Sequence, residues 1–342
     1  MLKIGLIGFG FMGKMHFDNY ERLMKEGESI QLISICDLQI EELKNSSAEG
    51  NIATERDEYD ITSYKLYDDI DTMLDNEELD MVDIAIPTYL HAEIACKVLA
   101  RGYHVLCEKP VAGNSVDGRK MVEAAKQADR KLMIGQCLRF WPAYEYLKEA
   151  VADKRFGEVV SGSFFRGSAM PKGWYHDGSL SGGCLLDMHI HDTDIIQWVL
   201  GKPLKVSTIA KKVMPGSGYD NVSTNYIYAD GKAINAQSDW RLEGDFGFEM
   251  TYRVNLEKAN IVFKDNIVKV NPNDSEGYVV ELSEDSGYYR EIKYFIHSIL
   301  EDTEITVCSP ESAVETLEII EAEMRSADQL GETVELRQGS VV

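Results

Sequence analysis

Residues 2–16 read LKIGLIGFGFMGKMH, and the interpretation of this stretch decides the fold. Leu2 to Ile7 form an apolar run of strand length, and a helix-forming segment follows from Phe11. Gly8, Gly10 and Gly13 stand between and within them in G-x-G-x-x-G spacing. The spacing alone is a weak signal, but after an apolar strand and at the opening of a helix it describes a dinucleotide-binding turn. Gly8 permits the tight turn, Gly10 admits the backbone to a pyrophosphate, and Gly13 allows close helix–strand packing. The diphosphate then lies over free N–H groups at the positive end of the helix. The next strand, IQLISICD, ends on Asp37, whose carboxylate is placed to accept hydrogen bonds from the adenosine ribose. Asp37 would repel a 2′-phosphate, and Leu38 offers no compensating arginine, so NAD is expected rather than NADP.

Working outward, residues 1–136 alternate strand-like runs (MVDIAIP, YHVLCEKP, KLMIGQ) with helix-period segments such as HAEIACKVLARG. Continuous apolar strands separated by helices predict a doubly wound parallel sheet covered on both faces, a Rossmann domain. The polar stretch Asn45–Ser63 has no clear period and reads as a surface loop or insertion. Beyond residue 136 the pattern changes. Short alternating strands dominate, with a hairpin signal at Asp230–Gly231, and helices return near the end. This predicts a second domain, residues 137–342, of α+β class with a largely antiparallel open sheet.

The length of 342 residues suits two domains. Formal net charge is −23, from 58 acidic and 35 basic side chains. Such a field repels nucleic acid and anionic membranes, so neither is expected as a partner. No apolar run approaches the roughly 18 residues of a membrane span. Six scattered cysteines without a C-x-x-C pair read as reduced packing residues, and a cytoplasmic location is expected.

The glycine turn, the stretch IAIPTYLHAEIACKVLARGYHVLCEKPVA (residues 84–112), GQCLRFWP and SGGCLLDMHIHDTD together resemble the Gfo/Idh/MocA oxidoreductases. These are named for glucose–fructose oxidoreductase and inositol dehydrogenase. The likeness covers nearly the whole chain, and Glu108-Lys109-Pro110 is its most specific element. The resemblance implies an NAD-dependent dehydrogenase acting on a secondary hydroxyl of a sugar, polyol or inositol, in a homo-oligomer, dimeric or tetrameric. It places cofactor contacts on Gly8, Phe9, Gly10, Phe11, Met12 and Gly13, on Asp37, on Pro87 and Thr88, on His91, and on Glu108 and Lys109. Many relatives have Thr-Pro-Asn-x-x-His where this chain has Pro87-Thr88-Tyr89-Leu90-His91, so Thr88 stands in place of an asparagine amide.

LLDMHIHDTD (residues 185–194) packs three carboxylates and two imidazoles into a short span. On a helix, Asp187 and His191 are four residues apart and share a face. An imidazole exchanges protons near neutral pH. The resemblance assigns His191 as general acid/base, Asp187 as its partner and Lys109 as the cation beside the substrate oxygen. The role of His189 stays open, between pocket lining and silent packing. A metal held by Asp187, His189 and His191 is not expected, because the two histidines diverge on a helix. Asp192 and Asp194 read as solvated or packing residues. Arg139, Trp174, Tyr175 and His176 are candidate substrate contacts. Two rival functions remain: an NAD-using glycosidase of the same family, and a non-catalytic dinucleotide sensor.

Overall fold

Strand β1 (Leu2–Ile7) is buried at every residue but Lys3, as a strand covered on both faces must be. With β2 (Ile30–Cys36), β3 (Lys65–Tyr67), β4 (Met81–Ile84), β5 (His104–Glu108) and β6 (Leu132–Gly135) it makes an all-parallel sheet in the order β3-β2-β1-β4-β5-β6. The computed structural model describes residues 1–43 and 59–337, so most of the polar stretch Asn45–Ser63 lies outside the described residues. Helices α1 (Phe11–Lys25), α2 (Ile70–Asn76), α3 (His91–Ala100) and α4 (Ser115–Ala128) accompany these strands. Asp69 and Asn114 cap α2 and α4 by accepting the N–H groups of Thr72 and Asp117, whereas Gly10 at the head of α1 supplies no side-chain cap. The strand order reverses direction between β1 and β4, the point beyond whose carboxyl ends such sheets bind ligands.

The second unit is built on β7 (Val159–Ser168), β8 (Lys205–Lys211), β9 (Asn221–Ile227), β10 (Ala233–Asp239), β11 (Phe248–Leu256), β12 (Ala259–Lys264), β13 (Ile267–Pro272), β14 (Tyr278–Val279) and β15 (Val334–Glu335). Among the described residues they order as β14-β13-β12-β11-β7-β10-β9-β8-β15. Only the β7–β10 pair is parallel, so the sheet is largely antiparallel. Gly231, at φ +77°, turns the expected hairpin between β9 and β10. One face is covered: Thr208, Thr224, Ala236 and Ser238 are all fully buried. The opposite face of β8–β10 stays open, with Ile209 and Ile227 exposed. Helix α5 (Pro142–Ala152) starts on a proline at its first turn, where the missing N–H costs nothing. Helix α6 (Ile190–Leu200) is preceded by a π turn over Leu185–His189 and stopped by Gly201 at φ +79°.

The first boundary falls beside residue 137, but the second unit is not continuous along the chain. Ser286–Val314 belongs to the first unit, and the second comprises residues 138–285 and 315–342. Within that returning segment, α7 (Gly287–Leu300) lies against α1. Arg22 sits 3.8 Å over the ring of Tyr289, Tyr289 donates to Glu26, and Glu28 holds both Lys293 and His297 at 3.0 Å. Cys308 Sγ reaches the Ile134 carbonyl at 3.0 Å. An amphipathic helix announces that it has a buried face, not which sheet buries it. The last helix, α8, spans Pro310–Asp328.

Candidate active-site residues

In the first unit the three glycines of the turn are held for different reasons. Gly8 has φ +94°, and a Cβ there would lie 2.3 Å from the Ala85 carbonyl oxygen. A Cβ on Gly13 would lie 2.0 Å from the Gly8 carbonyl oxygen. Both demands come from the protein itself. At Gly10, by contrast, a Cβ would meet nothing within 4 Å. Gly10 is exposed and stands before the uncapped N–H groups of α1. That open space at the positive helix end is a cradle that fits a diphosphate. Half-buried Phe11 and Met12 form the first turn of the helix beside it.

Asp37, at the carboxyl end of β2, organises the same region. Its Oδ2 accepts the Phe9 N–H at 2.8 Å and its Oδ1 accepts the Gln39 N–H at 2.8 Å. Each oxygen keeps a further lone pair, and the group is only half buried, as a ribose acceptor requires. Leu38 is 83% exposed beside it. Phe9 itself corrects an expectation. Its ring is fully buried edge-on to Phe17 and Tyr59, and its N–H is engaged by Asp37, so it supports the turn from beneath.

Beyond β4, half-buried Pro87 leads into a 3₁₀ turn that begins at buried Thr88. His91, expected among the cofactor contacts, is buried with its ring nitrogens 2.7 Å from the Pro110 carbonyl and 2.8 Å from the Ile86 carbonyl. Burial pulls its pKa down, against the two carbonyl hydrogen bonds. It ties the turn after β4 to the turn after β5 rather than presenting its ring to a nucleotide. Glu108 is a second such correction. Its carboxylate points inward, accepting from His16 Nε2 at 3.0 Å and from the Lys109 N–H at 2.9 Å. Lys109, one residue past the end of β5, is half buried.

In the second unit, residues 183–197 include only two that are not buried: Asp187 and His191. The helix expected through this stretch is interrupted, because the π turn widens the ladder to i→i+5 before α6 resumes. Such turns are frequent at functional sites. Asp187 lies within the π turn and His191 in the first turn of α6.

Every other polar group of the stretch is committed to the interior. Asp194 receives Arg139 through two bonds, Nε at 2.9 Å and Nη2 at 2.6 Å, and also accepts from Thr316 at 2.8 Å. Asp192 pairs with Arg166 at 3.2 and 3.3 Å, although burial still raises its pKa against the arginine. Neither aspartate is solvated. Arg139 is 2% exposed; it is a structural cation, not the substrate contact expected. His189 is fully buried, 2.8 Å from Ser238 Oγ and 3.1 Å from Thr224 Oγ1. Burial, then the Arg166 charge, holds its pKa near 3. It is a neutral packing residue. Among the described residues, the group whose atoms could hold a cation is His16, Glu108 and Glu291.

Trp174 and Tyr175 stack at 4.2 Å between ring centroids. Tyr175 also packs on the buried cluster of Cys184, Met188 and Trp240, so Trp174 is the better placed of the two to face a ligand. His176 is exposed. The signal sequence reasoning passed over was Asp83, a charge in the middle of the apolar strand MVDIAIP. It is fully buried and bonded to His16 and Tyr20.

The glycine turn, strand order and Asp37 define the first unit as a dinucleotide-binding doubly wound fold. Residues 2–136 match the profile of an oxidoreductase family with an NAD-binding Rossmann fold, and residues 144–262 match the GFO/IDH/MocA C-terminal domain. The chain belongs to the GFO/IDH/MocA oxidoreductase family. It is 28% identical over 224 residues to a levoglucosan dehydrogenase of Pseudarthrobacter phenanthrenivorans, covering 63% of this chain and 55% of that protein. It is 29% identical over 205 residues to a myo-inositol 2-dehydrogenase of Thermotoga maritima, covering 60% and 56%. The matched stretch thus spans about half the length of these curated relatives. A levoglucosan dehydrogenase solved with NADH and levoglucosan superposes with a TM-score of 0.84 at 20% identity, covering 98% of this chain and all of that one. That likeness establishes the fold.

Proposed function

We propose that the protein is an NAD-dependent dehydrogenase that oxidises a secondary hydroxyl of a sugar, polyol or inositol, or reduces the corresponding ketone. The observation that carries this reading is that Asp187 and His191 are the only half-buried residues in the otherwise buried stretch 183–197. The buried neighbours serve packing, and these two retain partial access to solvent. Membership of an oxidoreductase family supports it.

NAD, when bound, supplies the hydride acceptor, and the open space at Gly10 with the free lone pairs of Asp37 suits its diphosphate and adenosine ribose. The remaining work falls to the chain. As the carbinol C–H leaves as hydride, the hydroxyl proton passes to the unprotonated ring nitrogen of His191. Asp187 orients that ring and favours its cationic form. The Lys109 ammonium stabilises the alkoxide charge that develops on the oxygen. A positioned acid/base contributes about a hundred- to ten-thousand-fold in rate.

The test is NADH formation across inositols, hexoses and hexonic acids, with release of nitrophenol from aryl glycosides measured in parallel. The reading expects NADH accumulation without aryl release, and expects Lys109→Ala and His191→Ala to abolish turnover while NAD affinity survives. Aryl release without net NADH makes the chain a glycosidase, and unaltered behaviour of both variants makes it a sensor. The six cysteines, none of them in a disulfide, suit a reducing cytoplasm. Among the described residues no helix is long and apolar enough to cross a membrane. The open sheet face carrying Ile209 and Ile227 suits a homo-oligomer interface.

A further inference from the structure

Four side chains from separate elements of the first unit meet in its interior: His16 on α1, Asp83 on β4, Glu108 at the end of β5 and Glu291 on α7. All are 5% exposed or less. His16 Nδ1 lies 2.8 Å from Asp83 Oδ2, and His16 Nε2 lies 3.0 Å from Glu108 Oε1. Asp83 also accepts from Tyr20 at 2.7 Å, and Glu108 accepts the Lys109 N–H at 2.9 Å. Both Glu291 oxygens are buried and receive no hydrogen bond. A Glu291 oxygen, a Glu108 oxygen and a His16 ring nitrogen nevertheless lie within 4.8 Å of one another.

A count of donors settles the protons. Ionised carboxylates only accept, so an imidazole bonded to one at each nitrogen donates twice and is a cation. Asp83 and Glu108 each receive two donors, both of Asp83's on Oδ2 while its buried Oδ1 receives none. Glu291 receives none, and a second buried carboxylate that close to Glu108 would be strongly repelled. It needs a proton, which it can direct toward Glu108.

We propose that Tyr20, Asp83, His16 and Glu108 form a charged strut, with His16 an imidazolium and Glu291 a neutral acid, that fixes the backbone from which Lys109 projects. Glu108 is therefore a positioning residue, and that role rests on the dehydrogenase reading of Lys109. The energetics agree with the geometry. Burial opposes charge on His16, but the charge and hydrogen bonds of Asp83 and Glu108 outweigh it and raise its pKa well above the ordinary value. Burial, followed by the Glu108 charge, raises that of Glu291. Lys109 and the buried His91 also interact with Glu108, and the other titratable groups facing the cluster among the described residues include Tyr20 from α1, Cys107 from β5 and Tyr288 from α7. Burial pushes the two tyrosines and the cysteine up, so they stay neutral.

The experiment uses the full chain labelled with ¹⁵N-histidine, His16 being assigned by loss of its signal in His16→Asn. Both His16 ring nitrogens should show the protonated shift from pH 6 to pH 9, in the wild type and in Glu291→Gln, whose amide can replace the acid proton. A His16 that titrates like an ordinary histidine, or that shows a neutral tautomer, overturns the assignment. Turnover tests the positioning. Glu108→Gln should lower kcat by at least about tenfold, an interaction acting on the reacting state, with KM for NAD changed by less than about threefold. Glu291→Gln should keep kcat within about threefold. Equal losses in the two variants, or none in Glu108→Gln, refute the strut. A stoichiometric divalent ion in the purified wild type, lost in Glu291→Gln, would make the cluster a metal site instead. The nitrogen measurement needs no substrate, so failure of the dehydrogenase reading leaves it decisive.

Discussion

Glu323 on α8 should cost the protein stability at neutral pH, and Glu323→Gln should recover it. The carboxyl is fully buried. Its Oε1 accepts from Thr193 at 3.1 Å, while Oε2 has no hydrogen bond and stands 3.6 Å from His189 Nε2, too far to make one. Burial raises its pKa to about 8, against the hydrogen bonds of Tyr226 and Thr193. In the unfolded chain the same group ionises at about 4.3. Between those values the unfolded chain sheds a proton that the folded chain keeps, so stability falls as pH rises and levels off above the folded value. At about 1.4 kcal/mol per unit the ceiling is about 5 kcal/mol. Interior relaxation and hydration should reduce the realised effect to about 2–3 kcal/mol. Glutamine keeps the shape and cannot ionise, and its amide can face the neutral His189 nitrogen. Urea unfolding at pH 5 and pH 8.5 checks this: the variant's advantage should be about 1 kcal/mol at the lower pH, where the unfolded carboxyl is already mostly ionised, and reach about 2–3 kcal/mol at the higher. Parallel pH dependences in the two proteins would refute the reasoning.

Four further outcomes are expected. Arg139→Met should destabilise by about 3–5 kcal/mol, because it leaves Asp194 charged and buried without its arginine. Denaturant midpoints at pH 7 measure this, and a loss below about 1 kcal/mol would return Arg139 to the ligand contacts. Gly13→Ala should fail to fold or melt much lower, since its Cβ has 2.0 Å to the Gly8 oxygen. Gly10→Ala should melt as the wild type does yet bind NAD at least about tenfold more weakly, its methyl occupying the cradle; calorimetric titration with NAD separates the two. Asp37→Ser should raise the NADP-to-NAD ratio of kcat/KM by at least about tenfold, a gain of about 1.4 kcal/mol once the carboxylate no longer repels a 2′-phosphate.

The sequence alone determined what is local and periodic. An apolar run before G-x-G-x-x-G can be little else than a strand feeding a helix, and continuous apolar strands separated by helices require a parallel sheet. The four-residue interval between Asp187 and His191 predicts a shared side on a helix, and both are half-buried positions of that stretch. Partner choice across long separations was not legible. Arg139 looked like a ligand contact because nothing near it declares Asp194, 55 residues away, as its counter-charge. His16 and Glu108, 92 residues apart, gave no sign of each other, and the inward turn of Glu108 followed only from the packing. Nor did the pattern of Gly287–Leu300 show that it returns to the first unit, since an apolar helix face fits any sheet that leaves room for it. Periodicity is a property of a segment and burial a property of its surroundings, so the elements were readable in advance and the pairing of buried charges waited on the tertiary structure.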